Sequence, residues 1–209
     1  MNLLNTAQIV NRGIFNVYNK YLNNTNKLWD KMYEQNYSEK MDSVDQQPRN
    51  YILSGLLSSK TGDEKHNVLD VGCGNGSLYE LITHDSISYH GIDFSQKAIK
   101  MARERFGNKP VFEVTDFDSF NGSRNYDTII FNESLYYFKL LTIKKNIQKA
   151  VELLRNNNSC IIISMSSSAK SFLIWKMLSF LSKPKDDIMV KSLHSNSKWN
   201  IKSFCNLKH

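Results

Sequence analysis

The sequence predicts an α/β protein: a doubly wound, mostly parallel sheet of seven strands with helices on both faces, preceded by a helical N-terminal segment. Three observations predict it. From residue 67 onward, short apolar runs alternate with amphipathic stretches, the pattern of strands joined by crossover helices. The first of these runs passes into a turn with three glycines at alternate positions. The first 66 residues instead show apolar positions at helical spacing and no strand pattern. The chain therefore divides into a helical lid or substrate cap over residues 1–66 and an α/β core over residues 67–209.

Each element follows from its local pattern. Leu3, Leu4, Ile9, Val10, Ile14, Phe15, Val17, Tyr18 and Leu22 predict a first amphipathic helix, broken by Asn23-Asn24-Thr25-Asn26. A second helix spans Lys27–Glu34 with Trp29 and Tyr33, and the polar stretch 35–48, ending in Pro48, reads as a loop. A third helix, Arg49–Lys60, turns Tyr51, Ile52, Leu56 and Leu57 inward. In the core, Val68–Val71 is the first strand, and Ser77 can cap a helix over Leu78–Thr83. Ser88–Asp93 is the second strand, and Ser95 can cap the helix Gln96–Phe106. Pro110–Val114 and Tyr126–Phe131 follow as strands, and Thr142 can cap a helix through Leu154. Cys160–Met165 is the fifth strand, Ala169–Ser182 a helix, and weaker strands lie near Ile188–Leu193 and Lys198–Phe204.

Composition narrows the function classes. The fractions of 41% hydrophobic and 22% charged residues are those of an ordinary globular chain. The three cysteines (Cys73, Cys160, Cys205) are odd in number and lack a framework spacing. They read as small buried hydrophobes in a reducing compartment, and a cytoplasmic location is expected. No Cys or His pair has the spacing of metal ligands, so no metal is expected. The N-terminus lacks a basic stretch followed by an apolar one, which argues against a signal peptide. The most apolar segment, Ile161–Leu181, is interrupted by serines, Lys170 and Lys176. It is too polar to span a bilayer, and no membrane partner is expected. The net charge of +7 is uneven: +1 over residues 1–66, −4 over 67–137 and +10 over 138–209. An acidic middle suits a cationic ligand, and the dispersed lysines of the last third read as a solvated face.

The chemistry concentrates on four segments that follow the ends of consecutive strands. Residues 67–77 read Asn-Val-Leu-Asp-Val-Gly-Cys-Gly-Asn-Gly-Ser, so an acid precedes a G-x-G-x-G turn by two positions. Glycines there permit positive φ and close approach of ligand atoms. A dinucleotide fingerprint would space its third glycine differently. Asp93 ends the second strand, and its two oxygens match the two hydroxyls of a ribose, with Phe94 able to lie against an adenine face. Thr115-Asp116-Phe117 follows the third strand, where an acid can accept an exocyclic amine. Phe131–Phe138 follows the fourth with Asn132, Glu133, Tyr136 and Tyr137. Taken singly, each acid reads better as a solvated strand end.

In order, spacing and acid placement, residues 67–165 resemble class I S-adenosylmethionine-dependent methyltransferases. The resemblance implies a Rossmann-like fold with S-adenosylmethionine as cofactor. Gly72, Cys73, Gly74 and Gly76 would line the methionine moiety, with Asp70 in indirect support. Asp93 and Phe94 would take the ribose and adenine, Thr115, Asp116 and Phe117 the adenine, and Asn132 would offer a carbonyl to the methionine amino group. The segment after the fourth strand lacks the Pro-Pro turn of base amino-methyltransferases and the Pro-Cys of cytosine C5 enzymes. It is similar to small-molecule enzymes, including nodulation-type N-methyltransferases. A small-molecule acceptor methylated on N or O is therefore expected. Glu133 would be the general base or merely a loop carboxylate, and Tyr136 and Tyr137 walls or donors. An RNA methyltransferase using the basic last third and a non-catalytic cofactor-binding protein are the alternatives. His90 and His194 read as structural. The methylated atom and the oligomeric state are not legible in the sequence.

Overall fold

A computed structural model describes residues 25–207, apart from 63, 83, 108 and 124. The helix expected over Leu3–Leu22 lies outside the described residues. The strands are β1 (His66–Val71), β2 (Ile87–Asp93), β3 (Val111–Val114), β4 (Thr128–Asn132), β5 (Cys160–Ser166), β6 (Asp186–Lys191) and β7 (Lys198–Cys205). They form one sheet in the order β3-β2-β1-β4-β5-β7-β6. β7 runs antiparallel to both its neighbours, and the other pairings are parallel. The order reverses between β1 and β4, which opens a crevice at their carboxyl ends where such sheets take ligands.

Strand alternation sorts the core into two faces. Leu69, Ile129, Phe131, Ile161 and Ile163 pack on one side with α5 (Ile143–Leu153) and α6 (Ala169–Met177). Val68, Ile130, Ile162 and Ile201 pack on the other with α3 (Gln47–Lys60) and α4 (Gln96–Phe106). Ahead of α3 come α1 (Thr25–Glu34) and the short α2 (Tyr37–Met41). The doubly wound, mostly parallel seven-stranded sheet is therefore the one expected.

Several local expectations are corrected. The polar stretch 35–48 is not a plain loop, since α2 and the start of α3 lie within it. Tyr51 and Ile52 face outward, because α3 buries the stripe Arg49, Asn50, Leu53 and Leu57. The helix after the glycine turn shrinks to a single 3-10 turn, Tyr79–Leu81. Ser77 does not cap it but donates its hydroxyl to Asp42 Oδ1 at 2.6 Å. Ser95 does cap α4, accepting from the Ala98 amide at 3.1 Å. Thr142 precedes α5 without a side-chain cap, since its own backbone is helical (φ −98°, ψ −9°) and not extended, and its hydroxyl donates to the Lys139 carbonyl at 3.0 Å. The helix from Ala169 ends at Met177 and tightens into a 3-10 turn, Leu178–Phe180. Cys160 and Cys205 are not separate thiols: the β5–β7 register sets them opposite each other, and they form a disulfide. A pairing 45 residues apart leaves no spacing signal in the sequence.

Candidate active site

The glycine turn leaves β1 at the switch point. Gly72 (φ 79°), Gly74 (φ 57°) and Gly76 (φ 80°) all hold left-handed backbone that other residues adopt only with strain. All three also face a close neighbour, Gly76 with Phe106 Cε2 2.8 Å from where a Cβ would lie. A Cβ on Gly72 would lie 2.6 Å from Ser134 Cβ, and one on Gly74 would lie 2.5 Å from the Tyr33 hydroxyl. The Gly74 contact is instructive, because Tyr33 belongs to α1, so the N-terminal helices press directly on the glycine turn.

Asp93 anchors the opposite wall. Its Oδ2 accepts the Gly74 amide at 3.0 Å and its Oδ1 the Ser95 amide at 2.8 Å. Each oxygen keeps a further lone pair for a ligand hydroxyl. Burial raises the Asp93 pKa to about 6, the two amides oppose that rise and nearby Asp30 adds to it. Asp70 lies beneath the turn, 1% exposed, with Tyr89 donating its hydroxyl to Oδ2 at 2.6 Å and burial raising its pKa to about 7. Asp70 Oδ1 is buried without a hydrogen-bond partner among the described residues.

The N-terminal helices are tied to this wall by acids. Asp30 Oδ1 accepts the Ser95 hydroxyl at 2.6 Å and the Lys97 amide at 3.1 Å. Asp42 accepts Asn75 Nδ2 at 3.1 Å and the Arg105 guanidinium at 3.0 Å. Trp29 packs edge-on against Phe94 and Tyr137, at centroid distances of 6.4 and 4.8 Å. An aromatic wall of Trp29, Tyr33, Tyr37, Phe94 and Tyr137 thus joins α1 and α2 to the ends of β2 and β4.

Beyond β4 the chain bends sharply. Glu133 is a non-glycine residue at φ 58°, strain of the kind that clusters at functional sites. Its Oε2 accepts the Tyr136 hydroxyl at 2.9 Å and lies 3.8 Å from the Arg49 guanidinium. Burial raises the Glu133 pKa, against the pull of Arg49, Tyr136, the Ser166 main chain and the Trp199 indole. Arg49 is itself buried, stacked over Trp199 at 5.5 Å and hydrogen-bonded to Gln46 Oε1 at 2.5 Å. Asn132 Nδ2 donates to Asn50 Oδ1 at 3.1 Å. Burial also pushes the Tyr136 and Tyr137 hydroxyls well up, so both stay protonated near neutrality.

The structure thus brings Gly72, Gly74, Gly76, Asp93, Phe94, Asn132, Glu133, Tyr136 and Tyr137 to one edge, with Asp70 below. Thr115 adjoins Asp93, its amide donating to the Asp93 carbonyl at 3.0 Å. Three residues depart from the expected placement. Asp116 is exposed and binds the Ser119 amide and hydroxyl at 2.8 and 3.0 Å. Phe117 is 3% exposed and packs into the core on Phe131 and Phe138, so its ring is not offered to a ligand. The Cys73 thiol is buried against Gly91, which leaves the main chain alone facing the turn. Sequence reasoning missed Arg49, Asn50, Asp30 and Tyr37. For Arg49 a signal existed: it shares the four-residue stripe of Leu53 and Leu57.

Comparisons with known proteins bear on the family and the fold. Residues 62–203 match the family described as methyltransferase domain. Nodulation protein S of Azorhizobium caulinodans is 31% identical over 113 residues, 53% of this chain and 53% of that protein. The ubiquinone biosynthesis O-methyltransferase of Nitrosomonas europaea is 46% identical over 56 residues, 26% of this chain and 21% of that one. The chain thus spans about half or less of the length of these curated relatives. Among solved structures, the N-methyltransferase NodS of Bradyrhizobium japonicum WM9, in complex with S-adenosyl-l-homocysteine, aligns with a TM-score of 0.67. The identity is 19%, over 78% of this chain and 88% of that one. The 1,6-didemethyltoxoflavin-N1-methyltransferase of Burkholderia thailandensis aligns with a TM-score of 0.71 at 14% identity, over 91% and 90%. These likenesses show a shared Rossmann-like fold. Matched by the family over well above half of its residues, the chain belongs to the methyltransferase domain family.

Proposed function

We propose that the chain is an S-adenosylmethionine-dependent methyltransferase acting on a small-molecule acceptor, transferring the methyl to N or O by in-line displacement. The observation that carries this is the pairing of Asp93 with Gly74 at the switch point, beside three glycines in left-handed backbone. That arrangement fits the cofactor. Asp93 would hold the ribose hydroxyls, the glycine turn the methionine moiety over Asp70, and the Asn132 carbonyl the amino group. Phe94 and the Thr115-Asp116 segment would border the adenine. The relatives and neighbouring structures named above support the cofactor itself.

When bound, the cofactor supplies a methyl on sulfonium, a leaving group already activated. The chain's own work is mainly to position and to exclude water, which can contribute roughly 7–11 kcal/mol of barrier lowering. Glu133 is the residue for the remaining proton. Its buried carboxylate, raised by desolvation, can take the proton that an acceptor N–H or O–H gives up as the new bond forms. Tyr136 fixes Oε2 and leaves Oε1 for the acceptor. The segment 1–66 acts as a lid over the core 67–209, with Trp29, Tyr33 and Tyr37 as its inner wall, and Tyr136 and Tyr137 line the acceptor space. The reading also places the chain in the cytoplasm on the ground of cofactor supply alone, since the Cys160–Cys205 disulfide removes the argument from free thiols.

The test is release of S-adenosylhomocysteine from S-adenosylmethionine, screened against pools of amines, phenols, hydroxy acids and RNA. Turnover with a small acceptor, reduced about a hundredfold in Glu133→Gln, is expected from the usual contribution of a positioned base. Turnover with RNA alone would replace the small-molecule reading. Cofactor binding without turnover on any pool would favour a binding protein.

A further inference from the structure

α6 carries large apolar side chains on the side turned away from the sheet. Its inner side is used in the ordinary way, with Ile174 buried and Leu178 beyond it in the same core. The outer side of such a helix should be polar. Here Phe172 is 69% exposed, Leu173 43% and Phe180, in the following 3-10 turn, 45%. Phe172, Lys176 and Phe180 recur every fourth residue, which sets two phenyl rings and an ammonium along one stripe. α5 packs beside α6, and Lys144 near its start lies 5.4 Å above the Phe180 ring. Leu141, in the turn leading into α5, is 98% exposed.

The charge in the segments around these rings is mostly positive, with the exposed Glu152 of α5 the one acid between residues 134 and 185. No acidic residue occurs from Ser134 to Val151 or from Leu153 to Lys185. The same stretches carry Lys139, Lys144, Lys145, Lys176, Lys183 and Lys185, all exposed. Exposed phenyl and leucine side chains in segments with a large excess of exposed lysines suit an interfacial surface for anionic lipid: rings enter the headgroup boundary and ammonium groups meet phosphate. A second copy of the chain fits poorly, because two such faces would bring like charges together.

We infer that the α5–α6 face is a docking surface for an anionic membrane, held peripherally by Phe172, Leu173, Phe180 and the surrounding lysines. No helix among the described residues is long and apolar enough to cross a bilayer, so the contact is one of surface and not of span. α6 also packs against the Leu135–Tyr137 turn. Docking on this face would set the carboxyl edge of the sheet beside the lipid. This inference does not depend on the methyl-transfer reading, since it concerns residues outside the proposed site.

Vesicle flotation of the full chain tests it, with phosphatidylcholine alone and with added phosphatidylglycerol. The expected result is flotation with the anionic vesicles only. Phe172→Ser combined with Leu173→Ser should lower the partition about tenfold. Lys144→Glu combined with Lys176→Glu should lower it at least about tenfold. Thermal midpoints should stay at the wild-type value, and if the apolar pair fails to fold, the exposed lysine pair still decides. Absence of flotation with anionic vesicles would overturn the inference, as would flotation unchanged in both variants. A wild-type dimer in sedimentation, dissolved by the Phe172 and Leu173 changes, would assign the face to a second copy instead.

Discussion

Two carboxylates end two strands of the same sheet, and they are held in opposite ways. Asp93, after β2, is fixed by the amides of Gly74 and Ser95. Glu133, after β4, is held mainly by side chains, the Tyr136 hydroxyl and the guanidinium of Arg49 from α3, with the Ser166 main chain and the Trp199 indole adding to them. Burial raises the pKa of both. The difference teaches that a binding acid can be supported by rigid backbone close in sequence. On the reading proposed above, Asp93 is such a binding acid and Glu133 the reacting one, supported by groups that arrive from elsewhere in the chain.

The largest way to break this comparison is to remove the distant support. Arg49→Met leaves Glu133 buried without its cation and should destabilise the fold by about 3–5 kcal/mol, read by urea titration at neutral pH. Adding Glu133→Gln should recover most of that loss. If Arg49→Met alone costs nothing, the guanidinium does not support Glu133.

Asp93→Ala comes next. It should weaken S-adenosylmethionine binding by about 1.5–3 kcal/mol, the range for hydrogen bonds to a charged group, measured by calorimetry on the folded variant. An unchanged affinity would remove Asp93 from the ribose site.

The pH dependence sharpens the contrast between stability and binding. Asp93 and Asp70, raised to about 6 and about 7, keep protons in the fold that the unfolded chain releases near pH 4. The folded state therefore binds more protons between those values, and the stability of the free protein should fall as pH rises from about 4 to 7. Cofactor affinity should move the other way, rising through about pH 6 as Asp93 becomes a carboxylate able to accept two hydroxyls. Parallel denaturation and binding series across that range check both signs. The smallest effect is Tyr136→Phe, which removes one hydrogen bond to Glu133 and should cost about 1 kcal/mol of stability.

The same division explains what the sequence made legible. The glycine turn, Asp93 and the Ser95 cap are local, so spacing and capping residues reveal them, and α4 runs from Gln96 to Phe106 as expected. The parallel order also follows from alternating strands and helices. Arg49, Asn50 and the contacts of α1 and α2 were hidden because they act across the fold: Asn50 meets Asn132 from 82 positions away. Phe117 was misplaced for a related reason. Its motif position fits an adenine contact, but Phe131 and Phe138 offer its ring a drier partner. The disulfide depends on the β5–β7 register, which no local pattern encodes.

Titration of S-adenosylmethionine by calorimetry into the wild type, Asp93→Asn and Glu133→Gln, with turnover measured on the same samples, tests the division of labour most directly. The expected result is an affinity lowered at least about tenfold in Asp93→Asn and by less than about threefold in Glu133→Gln, with turnover nevertheless lost in the latter. Equal affinities in all three proteins, or the larger loss of binding in Glu133→Gln, would contradict the assignment of one carboxylate to the cofactor and the other to the acceptor.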